Sequence, residues 1–285
     1  MYKKVLIFGD TGMLGSVLLS FSKKLGYQAY GCSRTSDDIK IDVTDHLKVR
    51  NLLDKINPDL IIHSVGITDL EYCEKNPLEA WKVNSYSVYN MTSWARDNIK
   101  KKLIFVSTDQ FFSYSKKKKN TENDPISLIN TYGKTKFLGE FFLRELSNHF
   151  ILRTNIIGPI GKNSFAKWVI SSLENNKCIN LFDDYKVCSI DIYNFSKILF
   201  KAIDKNLKGT FNLASRDVFS KKDIIYEFSR QMKKKLVNPK VQKSKFSVPR
   251  SLNCGLDVKK IENSLKINMP TLSNVVSSVL SNYNN

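Results

Sequence analysis

Lys3-Lys4-Val5-Leu6-Ile7-Phe8-Gly9-Asp10-Thr11-Gly12-Met13-Leu14-Gly15 decides the fold of this chain. Residues 3–9 form a short apolar run of the kind that makes a strand buried on both faces. Three glycines follow, then apolar Leu18, Leu19, Phe21 and Leu25 at helical spacing. Strand, glycine turn and helix in that order provide a dinucleotide-binding context. Glycine lets the backbone approach a pyrophosphate closely, and the helix N-terminus points N–H groups at it. The spacing is G-x-x-G-x-x-G rather than G-x-G-x-x-G, and an ordinary strand-to-helix turn can use the same residues. The context favours a cofactor cradle made of Gly9, Thr11, Gly12, Met13, Leu14 and Gly15.

A second strand over Gln28 to Ser33 ends at Ser33-Arg34. An arginine here accommodates a 2′-phosphate, whereas an acidic residue would bind a free ribose hydroxyl. NADP is therefore expected, and nearby Asp37 and Asp38 leave NAD open. A third strand is read over Asp38 to Val43, with Asp42 and Val43 near the adenine. Thr44-Asp45 caps a helix running to Ile56, and a fourth strand covers Leu60 to His63, with His63 read as a buried structural residue. A long helix is expected over roughly 78–100, its Trp81, Val83, Val88 and Trp94 assigned to the core. Further strands follow at Leu103 to Val106 and Phe150 to Arg153.

Alternating strands and helices predict an α/β fold, a Rossmann-like doubly wound parallel sheet. After Gly158-Pro159-Ile160-Gly161 the rhythm becomes irregular, with a helix over Phe165 to Leu173 and short strands within 178–190. Another helix is read over Asp191 to Ile203, and a strand over Gly209 to Leu213. The expected division is a nucleotide-binding domain over 1–157, taking elements from about 191–214. A smaller α+β C-terminal substrate-binding lobe occupies 158–190 and 215–285.

Tyr132 and Lys136 sit four residues apart at the start of a helical pattern carrying Phe137, Leu138, Phe141, Phe142 and Leu146. At i and i+4 they share one helix face. A free phenol titrates near ~10, and a neighbouring ammonium favours the phenolate. The pair suits a proton donor beside a fixed charge, although two exposed side chains on a helix would give the same pattern. Ser107-Thr108-Asp109 leaves the fifth strand at the carboxyl edge, where open α/β sheets bind ligands.

The chain has 285 residues, a formal charge of +18, and 42% hydrophobic and 25% charged residues. That composition belongs to a soluble globular protein. No apolar run reaches the ~18 residues a membrane helix needs, and the apolar start is too short for a signal peptide, so a cytoplasmic protein is expected. The basic residues are spread along the chain with no recognition motif, which argues against nucleic acid as a partner. Lys116 to Lys119 reads as a solvated loop. Five scattered cysteines and three distant histidines argue against a disulfide framework or a metal site.

Taken in order, Gly9 to Gly15, Asp42-Val43-Thr44-Asp45, Cys73-Glu74 through Pro77 to Val83-Asn84, and Val106-Ser107-Thr108-Asp109 form a specific series. It continues with Glu122, Asp124, Asn130, Tyr132-Gly133, Lys136 and Gly139-Glu140, then Leu152-Arg153-Thr154. Phe211-Asn212-Leu213-Ala214 and Arg250, Asn253 and Leu256-Asp257 complete it. Over nearly its whole length the chain resembles an extended short-chain dehydrogenase/reductase of the nucleotide-sugar type, in particular the dTDP-4-dehydrorhamnose reductase branch.

The resemblance implies an NADP-dependent reductase of a nucleotide-linked 4-keto-6-deoxy sugar, serving surface polysaccharide synthesis. It implies a nucleotide-diphosphate sugar as substrate and leaves a homodimer open. Thr108, Tyr132 and Lys136 match the catalytic triad, and Tyr132 and Lys136 also reach the cofactor. Val65, Gly66 and Thr68 match cofactor-lining positions, and Asn84 is a candidate support. Asp109, Gln110, Asn155, Ile156 and Arg250 fall at the sugar pocket. Gln110 replaces a tyrosine and Ile156 a tryptophan of the rhamnose-forming branch, and Arg250-Ser251-Leu252-Asn253 replaces Arg-Pro-x-Asn. The first two departures predict a 4-keto sugar other than the rhamnose precursor, with an N-acetylated hexose favoured. Alternatives are an epimerase or dehydratase of the same superfamily, and a non-catalytic NADP-binding regulatory subunit. Dehydration is disfavoured because an amide, Gln110, holds the position of the dehydratase glutamate.

Overall fold

The opening apolar run becomes β1 (Lys4–Phe8), with Val5 to Phe8 wholly buried. The computed structural model describes residues 3–112, 119–161 and 164–283; Lys116 to Lys118 of the basic run lie outside them. After β1 come α1 (Met13–Lys24), β2 (Gln28–Ser33), a two-residue β3 (Ile39–Lys40), α2 (His46–Ile56) and β4 (Leu60–His63). The expected third strand is thus cut to its first part, and Asp42 and Val43 lie beyond it. Asp42 instead accepts from the Thr44 amide (2.9 Å) and hydroxyl (2.8 Å), a local turn that competes with strand pairing.

The expected long helix is resolved into α3 (Leu70–Lys75), α4 (Pro77–Trp81), a π-helical turn (Lys82–Tyr86) and α5 (Ser87–Asp97). Then follow β5 (Lys102–Val106), α6 (Thr131–Leu143) and β6 (Phe150–Arg153). The remainder comprises β7 (Ile156–Ile157), α7 (Phe165–Glu174), β8 (Cys178–Phe182), β9 (Lys186–Val187), β10 (Ile190–Asp191) and α8 (Ile192–Asp204). It ends with β11 (Gly209–Asn212), β12 (Phe219–Ser220), α9 (Lys221–Met232), β13 (Val237–Gln242), β14 (Asn253–Cys254), α10 (Lys259–Leu265) and α11 (Leu272–Ser281).

The seven-stranded sheet has the order β11-β6-β5-β4-β1-β2-β3. From β6 to β3 every pairing is parallel. Strand order reverses between β1 and β4, the switch point at which doubly wound sheets bind ligands beyond the strand carboxyl ends. The expected Rossmann-like parallel sheet is borne out.

By contacts the chain divides into two compact units. The first contains 1–108, 128–153 and 196–211, and the second 109–127, 154–195 and 212–285. Residues 109–127 and 154–157, read from sequence as part of the nucleotide-binding domain, pack within the second unit. In the first unit, Leu6, Phe8, Leu53, Trp94, Phe105 and Ile151 share one core. Each such side chain contributes roughly 1.5–3 kcal/mol on burial. Lys102 is fully buried there; its ammonium donates to Leu207 O (2.6 Å) and Asn206 Oδ1 (3.2 Å). Burial, then Lys208, pulls its pKa down to about 8.

The second unit is α+β. Its strands form the sets β7–β10, β12–β9–β14 and β8–β13, around a core that includes Ile170, Leu181, Phe228 and Val276. Among the described residues no helix is long and apolar enough to cross a membrane.

Candidate active site

The glycine turn closes as the sequence predicts. Gly9 has φ +92°, and a Cβ at Gly15 would lie 2.0 Å from the Gly9 carbonyl oxygen. Neither position has room for a larger residue. Gly12 caps α1 with no side chain across its first amides, and its own N–H donates to Gly9 O at 2.9 Å. The helix therefore opens with amide groups and the positive end of its dipole toward the turn.

Beside this turn lies a cavity of about 340 Å³. Gly9, Thr11, Gly12, Ser33, Arg34, Asp42, Val43, Val65 and Gly66 line it, all named from sequence. Met13 and Leu14 begin α1 with Gly15, whereas Thr68 is exposed in the loop after β4 and does not line the cavity. Ser64 joins Val65 and Gly66 on the wall, and sequence reasoning missed Thr35, Ile41, Thr44, Glu79, Lys82 and Val83 there. Val83 had been given to the core; the π-helical turn brings it and Lys82 to the cavity instead. At one end three hydroxyls converge: Thr11 Oγ1 is 3.0 Å from Ser33 Oγ, and Thr35 Oγ1 donates to Thr11 Oγ1 at 3.2 Å. With Arg34 they form a donor set suited to an adenosine phosphate. The pinched glycine turn, the cavity beside it and these donors fit a dinucleotide.

Asn130 caps α6 by accepting from Gly133 N at 2.7 Å, and Glu74 accepts from the Thr131 amide (2.6 Å) and hydroxyl (2.8 Å). These bonds fix the helix start and hence the orientation of Tyr132. Thr108 (3% exposed), Tyr132 (8%) and Lys136 (4%) are all buried. The Lys136 ammonium donates to Val106 O at 2.7 Å and sits 4.0 Å from the Phe105 ring centroid. A Cβ on Gly66 would be 3.8 Å from it, so Lys136 abuts a loop that lines the cavity. Burial pulls the Lys136 pKa down to about 7, with Glu140 acting in the opposite direction. Tyr132 and Lys136 do not themselves line the cavity.

Asn84, in the π-helical turn, ties the parts together. Its Oδ1 accepts from Ile67 N (2.8 Å), and its Nδ2 donates to Ile67 O (3.0 Å) and Thr135 Oγ1 (3.1 Å). The extra residue of a π turn re-aims side chains and is frequent at functional sites. Here it lets one buried amide hold the loop after β4 against α6. Glu140, one turn beyond Lys136, accepts from Ser107 Oγ (2.7 Å) and Arg153 (3.0 and 2.9 Å). Both ionic partners are fully buried; removing one would strand the other charge at ~3–5 kcal/mol. His63 is wholly buried, as expected, with Nε2 2.8 Å from Ser87 Oγ; burial first, then Lys136, pulls its pKa down to about 3. It is a neutral structural residue.

The sugar-pocket candidates belong to the second unit. Asp109 accepts from Gln110 Nε2 (3.2 Å) and Asn155 Nδ2 (2.9 Å), and Asn155 Oδ1 accepts from Ser189 Oγ (2.6 Å). The Gln110 amide also donates to Tyr185 OH (2.9 Å) and Cys254 Sγ (3.1 Å). Gln110 is therefore 5% exposed, with its amide nitrogen engaged inside the unit. Enclosure, followed by Cys254 and Asp109, pushes the Tyr185 phenol well above its ordinary value. Ile156 is half-buried in β7, and Arg250 lies 4.4 Å over the Phe246 ring. No sequence signal marked Tyr185, Ser189 or Cys254, which meet Gln110 and Asn155 only through long-range folding.

A family model described as the RmlD substrate binding domain matches residues 3–285. The "Probable low-salt glycan biosynthesis reductase Agl14" of Haloferax volcanii is 28% identical over 229 residues, 76% of each chain. The dTDP-4-dehydrorhamnose reductase of Escherichia coli is 28% identical over 181 residues, 63% of this chain and 60% of that one. Among solved structures, dTDP-4-dehydrorhamnose reductase from Bacillus anthracis in complex with NADP superposes with a TM-score of 0.90. It covers 99% of both chains at 22% identity, a likeness of fold.

Proposed function

The chain belongs to the RmlD substrate binding domain family, and from that premise we propose that it is an NADP-dependent reductase of a nucleotide-linked 4-keto-6-deoxy sugar. The observation that carries the reading is the α6 pair, a buried tyrosine one turn before a buried lysine whose ammonium abuts the cavity-lining Gly66 loop. The cofactor is proposed for the cavity beside the glycine turn, and the nucleotide-diphosphate sugar for Asp109, Gln110, Asn155, Ile156 and Arg250. Surface polysaccharide synthesis in the cytoplasm is the matching role, and the curated relative from Haloferax volcanii is named for glycan biosynthesis. A homodimer is compatible with this reading and not required by it.

NADPH, when bound, supplies a hydride to the ketone carbon. The residues do the rest. Tyr132 donates a proton to the oxygen as negative charge develops there. The Thr108 hydroxyl donates a hydrogen bond to the same oxygen and orients it. Lys136 stabilises the phenolate left on Tyr132 and holds the cofactor ribose. Asn84 positions both the Gly66 loop and α6 by bonding to Ile67 and Thr135. Gln110 offers no carboxylate for eliminating water, so dehydration is disfavoured.

The test is NADPH consumption over a panel of enzymatically made nucleotide-linked 4-keto sugars. Turnover with at least one is expected, with an N-acetylated or otherwise altered hexose ahead of dTDP-4-dehydrorhamnose in kcat/KM. No oxidation with any member would overturn the reductase. A best rate with dTDP-4-dehydrorhamnose would overturn only the substrate preference drawn from Gln110 and Ile156.

A further inference from the structure

Asp10 stands in the glycine turn between Gly9 and Thr11, yet it does not line the cavity that both of those residues line. It is 8% exposed, and its Oδ1 accepts from no donor among the described residues. A buried carboxylate oxygen without a donor costs stability. It also brings negative charge to the edge of a cradle suited to a pyrophosphate. Stability therefore does not account for an aspartate at this position.

What Asp10 does hold is the loop between β2 and β3. Its Oδ2 accepts from Ser36 Oγ at 2.5 Å, the length of a charge-assisted O–H···O bond, and Ser36 is wholly buried. The Ser36 hydroxyl in turn accepts from the amides of Asp38 (3.1 Å) and Ile39 (3.3 Å), which fixes the backbone as the loop enters β3. β2 makes room for the carboxylate: a Cβ on Gly31 would lie 2.5 Å from Asp10 Oδ2. The links of Thr11 to Ser33 and to Thr35 are exposed, where water competes for them. The bond from Ser36 to Asp10 is buried. The loop it holds carries Ser33, Arg34 and Thr35, all on the cavity wall.

We propose that Asp10 is a positioning residue for cofactor choice: by latching Ser36, its carboxylate sets the Ser33-Arg34-Thr35 stretch so that Arg34 meets the 2′-phosphate of NADP. This rests on the assignment of Arg34 to that phosphate and adds to it a residue that lies off the cavity wall. With alanine in place of Asp10, the Ser36 hydroxyl keeps only Gly31 O, at 3.5 Å, as an acceptor. Arg34 then has more positions open to it than the one that meets the phosphate.

The experiment is fluorescence titration of the full-length protein with NADPH and with NADH. The wild type is compared with Asp10→Ala, Asp10→Asn, Ser36→Ala, Arg34→Ala and the double variant carrying Asp10→Ala and Arg34→Ala. The wild type should favour NADPH. Asp10→Ala and Ser36→Ala should each narrow that preference by about threefold or more, up to the roughly tenfold that one charge-assisted contact supplies. The change should come from weaker NADPH binding, with NADH affinity moving little. Asp10→Asn keeps an accepting oxygen and should hold the wild-type preference. Adding Asp10→Ala to Arg34→Ala should narrow it no further, because the latch acts through that guanidinium.

Equal weakening of both cofactors in Asp10→Ala and Ser36→Ala, or an unchanged preference in both, overturns the proposal. So does an Asp10→Asn variant that behaves like Ser36→Ala. If Asp10→Ala does not fold, Ser36→Ala and Asp10→Asn still decide the matter. Narrowing by Arg34→Ala alone overturns the latch and leaves the role of Arg34 in place, whereas a wild type that favours NADH overturns both.

Discussion

Lys136→Met should make the protein more stable at neutral pH while abolishing turnover. The lysine is 4% exposed, and burial brings its pKa from 10.5 to about 7. That difference places a penalty of roughly 5 kcal/mol on the charged form, at about 1.4 kcal/mol per tenfold. The bond to Val106 O and the Phe105 face exist in the wild type only, and losing them costs about 1–3 kcal/mol. The variant should therefore gain ~2 kcal/mol at pH 7. Between about pH 7 and 10.5 the unfolded wild type holds a proton at this site that the folded protein has lost. Wild-type stability thus rises with pH in that window, by up to about 1.4 kcal/mol per pH unit, and falls back as pH drops through 7. The variant lacks this slope. Urea unfolding of both proteins without cofactor at pH 7, 8 and 9 cancels the titrations they share. A stability difference that stays constant from pH 7 to 9 would refute the buried, reluctant ammonium.

Tyr132→Phe removes only a hydroxyl and should leave NADPH affinity within about twofold. Steady-state turnover should fall ~10²-fold or more, the usual range for a lost general acid. Near-normal turnover would make Tyr132 structural. Arg34→Ala should narrow the preference for NADPH over NADH by roughly tenfold, as expected for one charge-assisted phosphate contact. Fluorescence titration of both cofactors checks it, and a wild type that favours NADH would count against Arg34 as the phosphate residue.

Much of the first unit was legible because its signals are local. The glycine turn and β2 follow from short runs whose chemistry allows few conformations, and β4 and β6 were read to the residue. Asp45 caps α2 by accepting from Lys48 N at 3.0 Å, as an N-cap aspartate should. The π-helical turn was not legible, since an extra residue in a helix leaves the apolar pattern almost intact. That is why Val83 was misassigned and Lys82 overlooked. Gln110 illustrates a different limit. Its position after Thr108-Asp109 was evident, but its partners come from 75 and 144 residues further along. Pairing over such distances depends on the finished fold and leaves no local mark.

The alternation of six chain segments between two units bears on how the protein is made. A ribosome delivers the chain in order, yet the first unit's sheet gains its edge strand β11 only when residues 209–212 emerge. Until then β6 presents an unpaired edge, and Lys102 lacks the Leu207 and Asn206 oxygens that satisfy its buried ammonium. The nascent first unit should therefore stay open and prone to association while much of the second is being synthesised. A fragment stopped at residue 157 would keep that edge permanently and should be a chaperone client rather than a folded nucleotide-binding domain.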